Sequence, residues 1–419
     1  MSWERLQQGA AAGVAGDDRR AGMTLSRAGV LLCLIAAPVA SLTAQDTRNI
    51  STTIVAPGVV HHRISDIAGP WRINVVEVNL RQPGLSIRAA HADDRVRGFE
   101  TVSAIAQRST TPLTRVLVAI NADFFSLKTG EGVNNQVVEG ELYKGVRVTD
   151  APADSGRHVR SQFGIDGSGR PLIDPFTFRG SFAAPSHAVV AINGLNHRAR
   201  ASDVVLYTAR TGAVTPWDST DGTVEVRLRY VENRHDTTIY QVAGFPAAGG
   251  TTVLRGGDAL SFPRSSRDVP RAGAMIRVAT NLIPAAPGLR TVVGGGPRLV
   301  RHGRNIADSA DALEGIFSKT FAGRNPRTGI GMSRDSTTLF LITIDGRQDA
   351  SVGMSLNEFA NLMISLGIYE GLNLDGGGST AMIVNGRLVN TPSDKNKAGQ
   401  FVERAVGNVL LVVWTPAHD

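Results

Sequence analysis

The run TLFLITIDGRQDASVGMSLNEFANLMISLGIYEGLNLDGGGSTAM, residues 338 to 382, narrows the folds open to this chain more than any other segment. It begins with an apolar strand, Thr338 to Ile344, that stops at Asp345. Ser355 followed by Glu358 forms a capping box, so a helix is predicted from there. Leu356, Phe359, Ala360, Met363 and Leu366 fall on one of its faces and Gly367 ends it. A second apolar strand, GLNL, then stops at Asp375. Strand, helix and strand at this spacing predict a crossover unit with parallel strands. Parallel strands release Asp345 and Asp375 at one sheet edge, and ligands collect at the carboxyl ends of strands in such sheets.

Three glycines, Ser379 and Thr380 follow Asp375 at once, more glycine than a tight turn needs. Backbone packed closely against something polar is the expectation, with N–H groups free to face an anion. Asn385-Gly386 then predicts a hairpin turn. An isolated strand-end aspartate is as readily a turn or capping carboxylate as a functional one. The second acid, Asp345, with Arg347 beside it, moves the reading toward a seat for a charged substrate.

Earlier in the chain the pattern is rich in strands. INVVEVNL, the turn QPG and LSIRAA predict a hairpin, Thr101 caps a short helix, and RVLVAIN runs as a buried strand into Asn121 and Asp123. Residues 160 to 290 read as sheet extension broken by loops rather than as a separate domain. Further on, Arg298 follows GGGP and Arg327 opens RTGIG, two arginines in rigid turns suited to phosphate or carboxylate. The fold expected is α+β: mixed sheets flanked by helices, with the crossover unit in the C-terminal third.

Several chemistries are set aside. The only cysteine, Cys33, lies in the apolar run 28 to 40, which reads as an export signal within residues 1 to 44, with translation starting at Met23 as an alternative. Residues 45 to 419 are then one cysteine-free domain, excluding thiol catalysis and Cys-ligated zinc. A secreted or periplasmic protein without stable membrane insertion is expected. Neither a P-loop nor HExxH occurs. The segment GGSTA is one residue short of a nucleophile elbow, and only His418 follows Ser379. The nine histidines form no metal set, so no metal or cofactor is assigned, although oxygen-rich turns leave room for calcium. A net charge of +7 suits anionic polymers, without the basic runs expected of a nucleic-acid binder.

INADFF, GGGPRLVRHG, PRTGIG, ITIDGRQDASVGMSLNEFANLMISLG, LNLDGGGSTAMIVNGRLVNTPSD and ERAVGNVLLV occur in an order that resembles the phosphodiester glycosidase family. The resemblance implies an enzyme that hydrolyses the bond between a sugar and a phosphodiester; with the export signal, a secreted enzyme acting on a glycan or cell-wall polymer is expected. It implies Asp375, Asp345 and Asp123 as catalytic candidates. It also implies Asn121, Arg298, Arg327, Arg347, Gly376, Gly377, Ser379, Thr380 and Arg404 as substrate-binding candidates. Ala122 stands where the family has glycine. A non-catalytic glycan-binding protein and a hydrolase of ordinary glycosides are the alternatives.

Overall fold

A computed structural model describes residues 48–416 apart from 148–160, 185–188, 217–221, 251, 253–256, 287, 310–312 and 315–322. The export signal, Met23 and Cys33 lie outside the described residues. The described residues are mostly β, with 50% strand and 9% helix, which overturns the α+β expectation. Only two α-helices lie wholly among the described residues, α1 (Val102–Arg108) and α2 (Leu356–Ser365). Strands dominate because β-branched residues alternate along many segments, and the large sheets bury their inner faces against one another.

An eight-stranded sheet is ordered 48–56, 59–66, 71–79, 338–344, 327–332, 370–373, 298–301, 304–305. A five-stranded sheet, 387–388, 382–384, 115–121, 408–414, 85–91, packs against it. Alternation along the strands divides their residues between inner and outer faces. Val76, Val78 and Leu341 of the first sheet join Val118, Ile120, Leu410 and Val412 of the second in one core. Helix α2 covers the outer face of the first sheet through Phe359, Ala360 and Met363. Helix α1 does the same for the second through Val102, Ile105 and Ala106. Gly329 admits α2 closely, since a Cβ there would lie 2.5 Å from the Phe359 ring.

A second five-stranded sheet, 171–174, 162–165, 291–293, 136–138, 141–144, stands between this core and another. Val293 faces the first core while Val292, one residue away, faces an apolar cluster that includes Phe178, Phe182, Leu228 and Phe262. That cluster belongs to a further eight-stranded sheet made from residues 177 to 283.

Three local expectations are refined. Thr338–Ile344 and Glu370–Asn373 do run parallel, but they are not neighbours: Arg327–Met332 lies between them, antiparallel to both. Their shared direction still brings Asp345 and Asp375 to one edge. The hairpin expected over 71 to 91 does not form, because Trp71–Asn79 pairs with 338–344 and Leu85–His91 pairs with 408–414 in the other sheet. The QPG turn therefore crosses between packed sheets. Met382–Val384 and Arg387–Leu388 do form the hairpin on Asn385-Gly386, both with positive φ.

Candidate active site

The carboxyl ends of Arg115–Asn121 and Glu370–Asn373, in different sheets, are joined by main-chain and side-chain hydrogen bonds. The Asp375 N–H donates to the Ala122 carbonyl at 2.9 Å, and Asn121 Nδ2 donates to the Asp375 carbonyl at 2.6 Å. Asn121 Oδ1 accepts from Thr328 Oγ1 at 2.8 Å and from the Ala381 N–H at 3.2 Å. Asn121 is thus fully engaged in tying three strands together, and this seam brings Asp123 beside Asp375.

The glycine turn answers to crowding by the protein itself. A Cβ at Gly376 would lie 2.6 Å from the Pro326 carbonyl oxygen, and one at Gly378 would lie 2.1 Å from an Arg404 nitrogen. Gly377 has φ +61 and sits under the Arg347 guanidinium. Arg404 is held by a fork of two hydrogen bonds to Asp394, at 2.7 and 3.0 Å. Arg347 itself is a non-glycine residue at φ 60, the kind of backbone strain that functional sites retain.

A cleft of about 200 Å3 opens here, lined by Asp375, Gly376, Gly377, Gly378, Arg327, Arg347 and Arg404, with Phe124, Asn325 and Asn373. Arg327 is buried and braced by the Met354 and Gly323 carbonyls, each at 2.8 Å. Burial, with the Arg347 charge adding to it, lowers its pKa to about 10, which leaves it cationic at neutral pH. Arg347 donates to Asn325 Oδ1 at 3.0 Å and is otherwise exposed toward the cleft.

Among the described residues lining this cleft, Asp375 is the one acid. Burial pushes its pKa up to about 7 and the Asp123 charge adds to the rise, while Ser379, Arg404 and the Gly376 N–H oppose it. Ser379 Oγ stands near the carboxylate without reaching hydrogen-bonding geometry, and Thr380 Oγ1 is likewise buried without a partner. Asp123 is 2% exposed and receives the Asn134 N–H at 2.9 Å and Asn134 Nδ2 at 2.8 Å. Burial raises its pKa and these donors oppose the rise.

Six residues marked in the sequence do not line the cleft: Asn121, Asp123, Ser379 and Thr380 pack beneath the glycine turn, and Asp345 and Arg298 have other partners. Asp345 is 2% exposed and faces the Thr391 N–H at 3.1 and 3.2 Å, with burial pushing it up to about 6. Arg298 is ion-paired with Glu370 and donates to the Ile173 carbonyl at 3.3 Å. Conversely, Phe124, Asn325, Asn373 and Asp394 were not singled out from the sequence. Asn373 had a signal, since strand alternation places it on the same side as Asp375. Asp394 had none, because its pairing with Arg404 spans a loop. Among the described residues no three His, Cys, Asp or Glu side chains are grouped to hold a metal ion. No helix among them is long and apolar enough to cross a membrane.

The arrangement defines a β-rich protein whose cleft sets one perturbed carboxylate among three guanidinium groups. Residues 220–413 match the phosphodiester glycosidase family model. The mouse N-acetylglucosamine-1-phosphodiester alpha-N-acetylglucosaminidase is 33% identical over 122 residues, 27% of this chain and 23% of the mouse protein. A prophage-derived protein of Bacillus subtilis is 37% identical over 91 residues, 22% of this chain and 13% of that protein. The chain therefore spans less than a quarter of either relative. A crystal structure of a hypothetical protein from Synechocystis shares the fold at a TM-score of 0.68 and 22% identity, covering 87% of this chain and 64% of that one. Asn121 and Asp123 lie outside the family match, and folding brings them to it.

Proposed function

We propose that this protein is an exported hydrolase that cleaves the glycosidic bond of a sugar-1-phosphodiester in a glycan or cell-wall polymer, releasing a phosphate monoester. The observation that carries this reading is the single cleft carboxylate, Asp375, facing Arg327, Arg347 and Arg404. A phosphate leaving group departs with little protonation and needs its charge neutralised, which fixed guanidinium groups supply. Asp375 then acts as the base or nucleophile at the sugar. A pKa near 7 suits a base working at neutral pH. Burial sets that pKa and Asp123 adds to it from behind, Asn121 holds the Asp375 main chain, and Ser379 and Thr380 offer hydroxyls beside it. Asp345 and Arg298 support the walls of the site.

The test is product analysis with sugar-1-phosphodiesters and the matched simple glycosides, using the wild type and Arg347→Ala. Release of sugar from the phosphodiesters is expected, with Arg347→Ala losing at least tenfold on them and far less on uncharged glycosides, the scale of one charge-assisted contact. Equal loss on both substrates, or binding without turnover, would overturn the reading.

A further inference from the structure

We propose that Lys144 is a positioning residue for this site: from behind the cleft it holds the 130–134 loop, and with it the two Asn134 donors, against Asp123 next to Asp375. The proposal rests on the reading of Asp375 given above.

A lysine is seldom buried without a task, and Lys144 is 1% exposed. Its ammonium donates to the Gly132 carbonyl and pairs with Glu131 at 2.9 Å. Gly132 has the Asp123 carboxylate close by: a Cβ there would lie 2.9 Å from Asp123 Oδ2 and 1.9 Å from Gln136 Nε2. One glycine therefore separates the lysine's grip from the acid. Two residues on, Asn134 supplies both short hydrogen bonds to Asp123. Gln136 lies directly across from Lys144 in the strand pair 136–138 and 141–144, so their side chains share a face, and Gln136 reaches Asp123 at 3.4 Å.

The charges around Asp123 come from several elements. Lys144 belongs to the strand 141–144, Glu131 to the loop, Arg97 to the segment after Leu85–His91, His197 to the segment after Gly194–Leu195, and Asp375 to the glycine turn. Glu131 is shared, since Arg97 Nε lies 2.9 Å and His197 Nδ1 2.7 Å from it. Glu131 consequently keeps partners if Lys144 is removed. The Lys144 charge lowers the pKa of Asp123 against the effect of burial, and an ionised Asp123 raises that of Asp375. Environments that drive two neighbouring carboxylates apart are how sites divide acid and base roles.

The sign of each change separates this role from a purely structural one. Lys144→Met removes a cation, so Asp123 should titrate about one pH unit higher; Glu131→Gln leaves the cation uncompensated, so it should titrate lower by a similar amount. The measurement is a carbon-13 NMR titration of aspartate carboxyl groups in the full chain, with Asp123→Asn used for assignment. Melting curves confirm that each variant is folded. Displacements of opposite sign support the proposal. Displacements of the same sign, or none, overturn it. If Lys144→Met does not fold, Glu131→Gln decides by whether Asp123 moves down. A wild type that shows the opposed displacements in its variants but leaves every phosphodiester intact would refute the proposed hydrolysis and spare the role of Lys144.

Discussion

Asp375 and Asp345 both end strands at one sheet edge, yet they differ in what they face. Asp375 lines the cleft, whereas Asp345 is turned to a main-chain N–H. Asp375→Asn keeps shape and removes charge, so kcat on a phosphodiester should fall by about two orders of magnitude or more, with binding of an unreactive analogue retained. Asp345→Asn should cost activity far less. As a base, Asp375 must be ionised, so kcat/KM should rise with pH through about 7 and level off above it. Stability runs the other way. The folded-state pKa of Asp345 is raised to about 6, so its protonated form stabilises the fold below the ordinary carboxylate range, and that contribution is lost as pH rises through about 6. Melting curves at pH 5 and pH 8 should show the wild type losing more stability across this interval than Asp345→Asn, by an amount on the order of 1 kcal/mol.

Elements set the arginines. Gly378→Ala would place a Cβ 2.1 Å from an Arg404 nitrogen and 2.2 Å from Asp394 Oδ1. Both side chains are about one-third exposed and can swing outward, so the fold should survive while the fork breaks. KM for a phosphodiester should rise about tenfold, the scale of a lost hydrogen bond to a charged group, with little change in Tm. The capping box of α2 behaves differently. Ser355 accepts from the Glu358 N–H while Glu358 accepts from the Ser355 N–H and pairs with Arg324. Ser355→Ala should lower unfolding free energy by about 1 kcal/mol in denaturant titration and leave KM unchanged.

Across the whole molecule two apolar cores share one wall, the sheet that contains Val292 and Val293. A cut that frees residues 177–283 would expose Val292 and Val137 on that wall together with the faces they cover. We expect one cooperative unfolding transition in calorimetry and no folded 177–283 fragment after limited proteolysis. Two separated transitions, or a stable fragment, would divide the chain into independent units.

How far the sequence reaches is clearest where its signals are local. The capping box, the Asn385-Gly386 hairpin and the strand ends at Asp345 and Asp375 follow from neighbouring residues alone, because caps, turns and period-two alternation are short-range physics. The direction of two strands joined through a helix is equally short-range, which is why both acids could be placed at one edge before any partner strand was known. Pairing is not. The 71–79 strand pairs on one edge with its preceding neighbour 59–66, but its other edge takes the distant 338–344 rather than the following 85–91. The balance of strand over helix, the seam that carries Asp123 to Asp375, the Asp394 brace on Arg404 and the withdrawal of Arg298 and Asp345 from the cleft all depend on contacts across long stretches of chain. Residue types announced a carboxylate and arginines near glycine turns; only tertiary packing decided which of them meet in one cleft, because burial, not sequence spacing, sets which charges remain free to meet a substrate.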